Sequence, residues 1–236
     1  MLMSKKSEHT ASDMQVRGAA REHRPSISRK RVMRVALSII DARGIDALSL
    51  RTVAARLGIR APSLYNYFHS KAELLQEIAR SLLVNVKRPQ SGTDWRENIL
   101  QIAVGARRAI LRHPKAAPLL LLHFPREVLV SAYERSMGIY DTAPELHLVI
   151  TEGVEKLTLG SALFTAASRA QGKTHWPSYD KNRYPKLAAA VLTNLHGEDS
   201  LFEETLRRFL QGFPTAAKRR RAPPSKTKRL RHRARR

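Results

Sequence analysis

The chain has 236 residues, 42% of them hydrophobic, no cysteine and a formal net charge of +23. This length and composition favour a folded core over extended disorder, and the lack of cysteine excludes disulfide frameworks and thiolate metal sites. No apolar run approaches the ~20 residues that a membrane span needs, and the N-terminus has no signal-peptide pattern, so we expect a soluble cytoplasmic protein with no membrane partner.

The positive charge is concentrated near the C-terminal end. Residues 214–236 carry eleven basic side chains, no acidic side chain and three prolines, and they have too little apolar surface to fold alone. We interpret residues 214–236 as a basic disordered tail that holds the protein near DNA through phosphate contacts, with a merely solvated tail as the alternative. Residues 1–27 are polar and mixed in charge, which predicts a flexible arm.

A first helix is predicted from Ser28 to Gly44, because apolar residues recur there at helical spacing and Gly44 suits a helix end. Its N-terminal end is crowded with basic residues, which the helix dipole disfavours. An anion such as a DNA phosphate near that end would offset the repulsion, and a solvated basic end is the equal alternative. The basic residues are Arg29, Lys30, Arg31 and Arg34.

Two short helices about a glycine turn follow. Ser49 can cap the first, and Gly58 can adopt the left-handed conformation that ends it. Pro62 suits the first turn of the second helix, which is predicted to run to Phe68. A third helix starts at Ser70, which has capping-box spacing to a later glutamate. Two helices joined by a short glycine turn make a helix-turn-helix, whose second helix can lie in the major groove of DNA.

The run GIDALSLRTVAARLGIRAPSLYNYFHSKAELL, from Gly44 to Leu75, resembles the DNA-binding domain of the TetR family of transcriptional regulators. The resemblance implies a three-helix DNA-binding domain over residues 28–86 and a homodimer that binds a palindromic operator in double-stranded DNA. It also implies DNA contacts from Ser49, Arg51, Ala61, Pro62, Ser63, Tyr65, Asn66, Tyr67 and Lys71.

The chemistry of these side chains suggests what each implied contact would read. Arg51 can bind guanine O6 and N7, and Asn66 can pair bidentately with adenine. Ala61 or Pro62 can touch a thymine methyl group. Phosphate contacts are expected from Ser49, Tyr65 and Lys71, and base-edge contacts from Ser63 and Tyr67.

Residues 94–213 are predicted to form a second, helical domain, and since no alternating strand pattern occurs, the whole fold is expected to be all-α. Helices are predicted at 94–112, 115–123, 126–138, 144–170, 186–196 and 200–211. Helix 144–170 carries Gly153, Gly160 and Ser161 on one flank, which permits close packing. This helix and the last one are candidates for a dimer interface, in agreement with the four-helix bundle of TetR-like dimers; an ordinary core helix is the alternative.

Within this domain, DWRENILQIAVGARRAILRHPKAA and EKLTLGSALF resemble the tetracycline-repressor-like C-terminal domain, which holds its drug and a magnesium ion through polar residues. At those positions this chain has Lys87, Ile102, Leu120, Lys156 and Phe164. A lysine repels a metal ion, so we expect no metal, no cofactor and no tetracycline recognition. A helix-lined cavity for a small apolar or aromatic effector is predicted instead, unless the same residues fill the core. The predicted walls are Ile102, Ala106, Leu120, Leu157 and Phe164.

Catalysis has no visible residues in the sequence. The histidines lack the spacing of a metalloprotease, and no nucleophile elbow, phosphate-binding glycine loop or carboxylate pair stands out, so we do not expect an enzyme. The favoured function is a repressor that a small molecule releases from its operator. The alternative is a DNA-binding protein of the same fold that takes no ligand and acts through a protein partner or in chromosome organisation. Operator, regulated genes, effector and sign of regulation stay open at this stage.

Overall fold

A computed structural model describes residues 27–84, 86, 94–172 and 177–215 of the chain. These residues contain α-helices and two short 3-10 turns, Ile45–Ala47 and Pro144–Leu146, but no strand, which confirms the all-α prediction. The arm up to residue 26, the tail from residue 216 and Lys87 lie outside the described residues. The helices are α1 (Arg29–Arg43), α2 (Leu50–Leu57), α3 (Ala61–Leu64), α4 (Lys71–Val84), α5 (Trp95–Leu111), α6 (Leu119–Leu122), α7 (Arg126–Ile139), α8 (His147–Ala170), α9 (Pro185–Thr193) and α10 (Glu198–Gln211).

The predicted caps of the first helices are present. The Ser28 side chain accepts a hydrogen bond from the Arg31 amide, and Gly44 ends α1 with a φ of 84°. Gly58 ends α2 in the left-handed conformation, with a φ of 69° and a ψ of 32°. Because a side chain is strained at such angles, glycine fits both positions. The chain therefore turns twice within a short distance and packs α1, α2 and α4 around one core.

The second helix of the pair is shorter than predicted, since α3 ends at Leu64 and not at Phe68. Past Leu64 the backbone tightens: the Tyr67 amide donates to the Leu64 carbonyl at 2.9 Å, and the Tyr65 amide donates to the Pro62 carbonyl at 3.2 Å. Both bonds span three residues, as in a 3-10 turn. The Phe68 amide donates to the same Leu64 carbonyl at 3.1 Å, and the Phe68 ring is fully buried in the core.

Two further helices are shorter than the sequence predicts. Helix α6 begins at Leu119 because residues 113–118 form successive turns, with the Ala116 amide donating to the His113 carbonyl at 2.9 Å. Helix α9 ends at Thr193, where the Asn194 side chain closes a turn on the backbone of His196. The asparagine offers the backbone an alternative to continued helix.

Helix α5 is the centre of the C-terminal domain and packs against both α8 and α10. Trp95, Ile99 and Leu100 of α5 form a core with apolar residues of the other two helices. Gly153 of α8 permits a close approach of α10, because a β-carbon there would lie 2.2 Å from Cζ of Phe209. In the described part of the chain, no helix combines the length and apolar character needed to cross a membrane.

The two predicted domains share a hydrophobic core. Ile110, Leu119 and Leu120 of the second domain pack into the same cluster as α1, α2 and α4. Polar contacts reinforce the junction: Nδ1 of His113 lies 2.8 Å from an Asp41 carboxylate oxygen, and Nζ of Lys115 donates to the Ala42 carbonyl at 2.9 Å. A displacement of α5 or α6 must therefore also displace α1 or α4.

Candidate nucleic-acid interface

The start of α2 is fixed by a reciprocal cap. The Ser49 side chain accepts from the Thr52 amide at 3.0 Å, and the Thr52 hydroxyl oxygen accepts from the Ser49 amide at 2.9 Å. The Ser49 hydroxyl is thus part of the capping box, and its predicted phosphate contact stays a prediction. Arg51, two residues later, is exposed, and among the described residues none accepts a hydrogen bond from its guanidinium. The cap therefore sets the direction of α2, and Arg51 is available for an external partner.

The segment from Ala61 to Phe68, called here the reading turn, has an apolar inner side and a polar outer side. Leu64 and Phe68 are fully buried and anchor the segment to the core. Ala61 is half-buried. The outer residues Pro62, Ser63, Tyr65 and Asn66 are all exposed. Four of the predicted DNA contacts are therefore presented together, on a scaffold held by two buried side chains.

Tyr67 is placed differently from its neighbours. Its ring is half-buried against the core, and its hydroxyl donates to the Ile27 carbonyl at 2.9 Å. This hydroxyl joins the reading turn to the residue before the Ser28 cap of α1. The base-edge contact predicted for Tyr67 stays a prediction.

Arg29 pairs with groups of the protein itself. The sequence analysis expected either an external anion or a solvated basic end at the start of α1. One guanidinium nitrogen donates to the Tyr67 carbonyl at 2.5 Å, and another lies 3.1 Å from Oε1 of Glu73. The His69 amide and the Arg29 guanidinium hold the pKa of the Glu73 carboxyl below its ordinary value. Sequence reasoning missed this role because the partners lie far along the chain.

Six other basic side chains make this domain a suitable polyanion surface. They project from the start of α1, from α2, from the turn before α3 and from the start of α4, and all are exposed. Such a distribution favours phosphate contact and salt-dependent binding. These residues are Lys30, Arg34, Arg51, Arg56, Arg60 and Lys71.

The predicted effector cavity is not formed by its five residues in the single chain. Ile102 and Leu157 pack on the α5–α10 core, whereas Leu120 is buried in the core shared with the DNA-binding domain. Ala106 is half-buried on α5, and Phe164 is 77% exposed on α8, so Phe164 does not wall an internal cavity. A cavity of about 430 Å³ lies elsewhere, between Arg96 and residues 211–215. For Ile102, Leu120 and Leu157 the core interpretation is the better one.

Arg107 is a buried charge that the sequence analysis did not single out. It is 2% exposed, and it donates to the Ser161 hydroxyl at 2.9 Å, to the Thr165 hydroxyl at 3.1 Å and to the Asp199 carboxylate. The hydrogen bond from Arg107 holds the pKa of Asp199 below its ordinary value. The helical spacing of Arg107 from Ala103 and Ile110, both buried, was the available signal. This arginine ties α5 to α8 and α10.

The predicted dimer helices use part of their surface within the chain. Gly153 receives Phe209, and Ser161 accepts from Arg107, so neither of these small residues is free for a second subunit. On α10 the apolar face is also buried internally. A different stripe of α8 is open: Val149, Phe164 and Ala167 are exposed and lie within about 60° around the helix axis. Leu192 and Leu195, in and after α9, are 85% and 94% exposed.

Comparison with known proteins gives consistent matches along the chain. The family described as bacterial regulatory proteins, tetR family, matches residues 32–78, and the tetracyclin repressor-like C-terminal domain matches residues 88–216. The class D tetracycline repressor of Escherichia coli is 28% identical over 195 residues, covering 79% of this chain and 89% of that protein.

Two actinobacterial proteins are similar over most of the chain. The HTH-type transcriptional repressor DrrR1 of Streptomyces coeruleorubidus is 28% identical over 233 residues, covering 87% of this chain and 84% of that protein. The crystal structure of the Streptomyces coelicolor TetR family protein ActR, in complex with (S)-DNPA, superposes with a TM-score of 0.60. That match has 25% identity and covers 79% of this chain and 97% of the other.

Proposed function

Because this chain belongs to the TetR family of bacterial regulatory proteins, we propose that it represses transcription as a homodimer on a palindromic operator and is released by a small apolar molecule. The observation that carries this proposal is the reading turn, which presents Pro62, Ser63, Tyr65 and Asn66 outward over the buried Leu64 and Phe68. The protein would act in the cytoplasm, where it meets its DNA.

We assign recognition of the operator's base sequence to three side chains. Arg51 would read guanine in the major groove, Asn66 would read adenine, and Ser63 would contact a base edge between them. The exposed Tyr65 and Lys71 would bind phosphates and fix the register on the duplex. Since one reading turn covers only a few base pairs, useful specificity requires two, spaced about one or more helical turns (~34 Å) apart.

The dimer proposal is supported by apolar surface that a single chain leaves open. Val149 and Phe164 are exposed on α8, and a β-carbon at Gly160 would meet no atom within 4 Å. A second copy can cover this stripe, because identical surfaces meet across a two-fold axis. Phe164 is thereby reassigned from the effector cavity to the subunit interface.

The effector proposal rests on the weak attachment of α7. This helix has no buried residue. It is held to α8 by polar contacts, in which Arg126 bonds Glu152 at 2.8 Å and Glu155 at 2.9 Å, and Tyr133 bonds Glu155. The N-terminal part of such a wall can separate from α8 to admit an apolar molecule, while Met137 near its C-terminal end stays packed on the core of α5, α8 and α10. The shared core around Leu120 would then transmit the displacement to α4, and the ligand would shift the population of dimers away from the DNA-binding form.

Genome-wide recovery of DNA fragments bound by the purified chain tests the function directly, at about 150 mM salt, where nonspecific phosphate binding is screened. Recovery of a few palindromic sites is the expected result. Compounds handled by the products of adjacent genes should then dissociate those fragments.

Broad recovery without a shared motif would instead favour a chromosome-organising protein. The same recovery of DNA fragments with a chain truncated after residue 215 measures how much the basic tail contributes to DNA binding. We expect that truncation flattens the salt dependence of binding and leaves the recovered motif intact. An unchanged salt slope would contradict the proposed tethering role of the tail.

A further inference from the structure

The reading turn needs support from outside itself. Helix α3 has only four residues, and Tyr65 and Asn66 follow it in a turn that is closed by bonds from the Tyr67 and Phe68 amides to the Leu64 carbonyl, so no regular helix continues through them. A side chain that reads a base must be held within a fraction of an ångström of its productive position. Leu64 and Phe68 fix the inner side of the turn, but neither can fix the carbonyl groups on its rim.

Arg29 makes three contacts, two with the end of the reading turn and one with α4. Its guanidinium donates to the Tyr67 carbonyl at 2.5 Å, lies 3.1 Å from Oε1 of Glu73, and stacks 4.3 Å from the centroid of the Phe68 ring. The planar fork of arginine suits such divided contact, which a lysine ammonium cannot reproduce. One residue of α1 thus bonds to the end of the reading turn and to the first turn of α4.

Two further bonds complete the arrangement. The other oxygen of Glu73 accepts from the His69 amide at 2.7 Å, so the carboxylate that receives Arg29 also fixes the loop before α4. The Tyr67 hydroxyl donates to the Ile27 carbonyl at 2.9 Å, which fastens the turn to the chain before α1. The N-terminal segment therefore holds Tyr67 at two points: Arg29 contacts its backbone carbonyl, and Ile27 accepts from its hydroxyl.

We propose that Arg29 is a positioning residue for DNA reading, which fixes the turn that carries Tyr65 and Asn66 and does not itself bind a phosphate. This inference rests on the proposed function and specifies which residue outside the interface sets its geometry. Loss of the guanidinium frees the Tyr67 carbonyl and Glu73 together, so the outer side chains would sample several orientations. Sequence-specific binding would weaken, whereas phosphate binding by the other cations would continue.

The test compares Arg29→Ala with Arg34→Ala. Arg34 lies on the same helix, is exposed, and is outside these contacts, so its variant removes the same charge. The probes are the tightest duplex that the full chain selects from a random-sequence library and a scrambled duplex of the same composition. We expect Arg29→Ala to weaken binding to the selected duplex about tenfold more than to the scrambled one, as for loss of a charge-assisted hydrogen bond. For Arg34→Ala the two losses should be equal.

The salt dependence separates positioning from phosphate contact. If Arg29 bound a phosphate, Arg29→Ala would lower the slope of log K against log salt by about 0.9 and weaken both duplexes equally, and the proposal would be overturned. The proposal would also be overturned if Arg29→Ala and Arg34→Ala had the same ratio of affinities for the selected and the scrambled duplex. Arg29→Lys keeps the charge and should still lose discrimination.

A DNA-free readout keeps the inference testable if the chain selects no sequence, a result that would count against the proposed function alone. Hydrogen exchange of the His69 amide reports the Glu73 bond directly. We expect faster exchange in Arg29→Ala than in Arg34→Ala, and equal rates would refute the proposed support. Glu73→Gln, which keeps the length of the side chain and removes the carboxylate charge that Arg29 contacts, provides a second variant in case Arg29→Ala folds poorly. It should reduce discrimination without changing the salt slope.

Discussion

In the DNA-binding domain, helices α1–α4 bury their apolar faces against one another and against α5 and α6, and among residues 27–83 Tyr65 is the only large apolar side chain that is exposed. In the C-terminal domain, by contrast, Val149 and Phe164 on α8 and Leu192 and Leu195 around α9 face solvent in the single chain. Together with the residues of α5, α6 and α8 that complete its core, the first domain leaves little apolar surface open. The second has apolar surface of the kind that a partner covers.

The largest expected effect is on the open surface of the second domain. Phe164→Asp should convert a dimer, of twice 26.7 kDa, into a monomer in light scattering at micromolar concentration. Burial of a phenylalanine contributes about 1.5–3 kcal/mol, and each interface contains two copies, so the loss is about 4 kcal/mol. Val130→Asp on α7, which is also exposed, is the matched control and should leave the mass unchanged. A monomeric parent chain, or a monomeric control, would contradict the assignment of this surface.

The interior of the same domain should respond through stability. Arg107→Ala removes the buried guanidinium that joins α5 to α8 and α10 and leaves two hydroxyls and a carboxylate without it. We expect a loss of about 3 kcal/mol in denaturant unfolding. Arg108→Ala is the neighbouring control: this arginine is exposed and pairs with Glu203 at 3.4 Å, so its removal should cost less than about 1 kcal/mol. Similar losses for both variants would mean that Arg107 is not a central support.

In the DNA-binding domain, we expect a substitution that changes DNA binding and leaves stability unchanged. Arg51→Ala is expected to weaken operator binding by about 1–3 kcal/mol and to relax sequence choice, because its guanidinium would read guanine. The unfolding midpoint should stay the same, since Arg51 is exposed. An equal loss on random DNA would show that Arg51 contacts phosphate and does not read a base.

Local signals explain why the first domain was the easier to predict. The Ser49 cap, the left-handed Gly58 and the buried pair Leu64 and Phe68 each act within a few residues, and each lies where the sequence placed it. The predicted end of α3 was wrong, because bonds from Tyr65 to Pro62 and from Tyr67 to Leu64 span only three residues and interrupt the regular helix. Helix types in the second domain also followed from periodicity, although several ends did not.

Long-range contacts explain what was missed. Arg29 looked like a solvated or phosphate-seeking cation, because Tyr67 and Glu73 are distant in sequence. Arg107 was not singled out, because its partners Ser161, Thr165 and Asp199 are also distant in sequence. The proposed cavity failed for a related reason: Leu120 and Leu157 are both apolar, but the topology assigns them to different cores. Composition indicates which residues are buried, whereas only the arrangement of helices shows which of them meet.

The smallest expected effect concerns the ion pair of Arg107 with Asp199 on α10, as distinct from the hydrogen bonds that Arg107 donates to hydroxyls of α8. Arg107 lowers the pKa of Asp199, so this ion pair stabilises the fold above the unfolded carboxyl pKa of about 4 and is lost as the pH falls through the lower folded value. Asp199→Asn should therefore lower stability at neutral pH, by less than about 1 kcal/mol because the carboxylate is 58% exposed. The parent chain and the variant should converge in acid unfolding measurements once the pH lies below the lowered, folded-state pKa of Asp199. A difference that persists in acid would assign the effect to packing of α10, and the hydroxyl contacts of α8 would then be the main partners of Arg107.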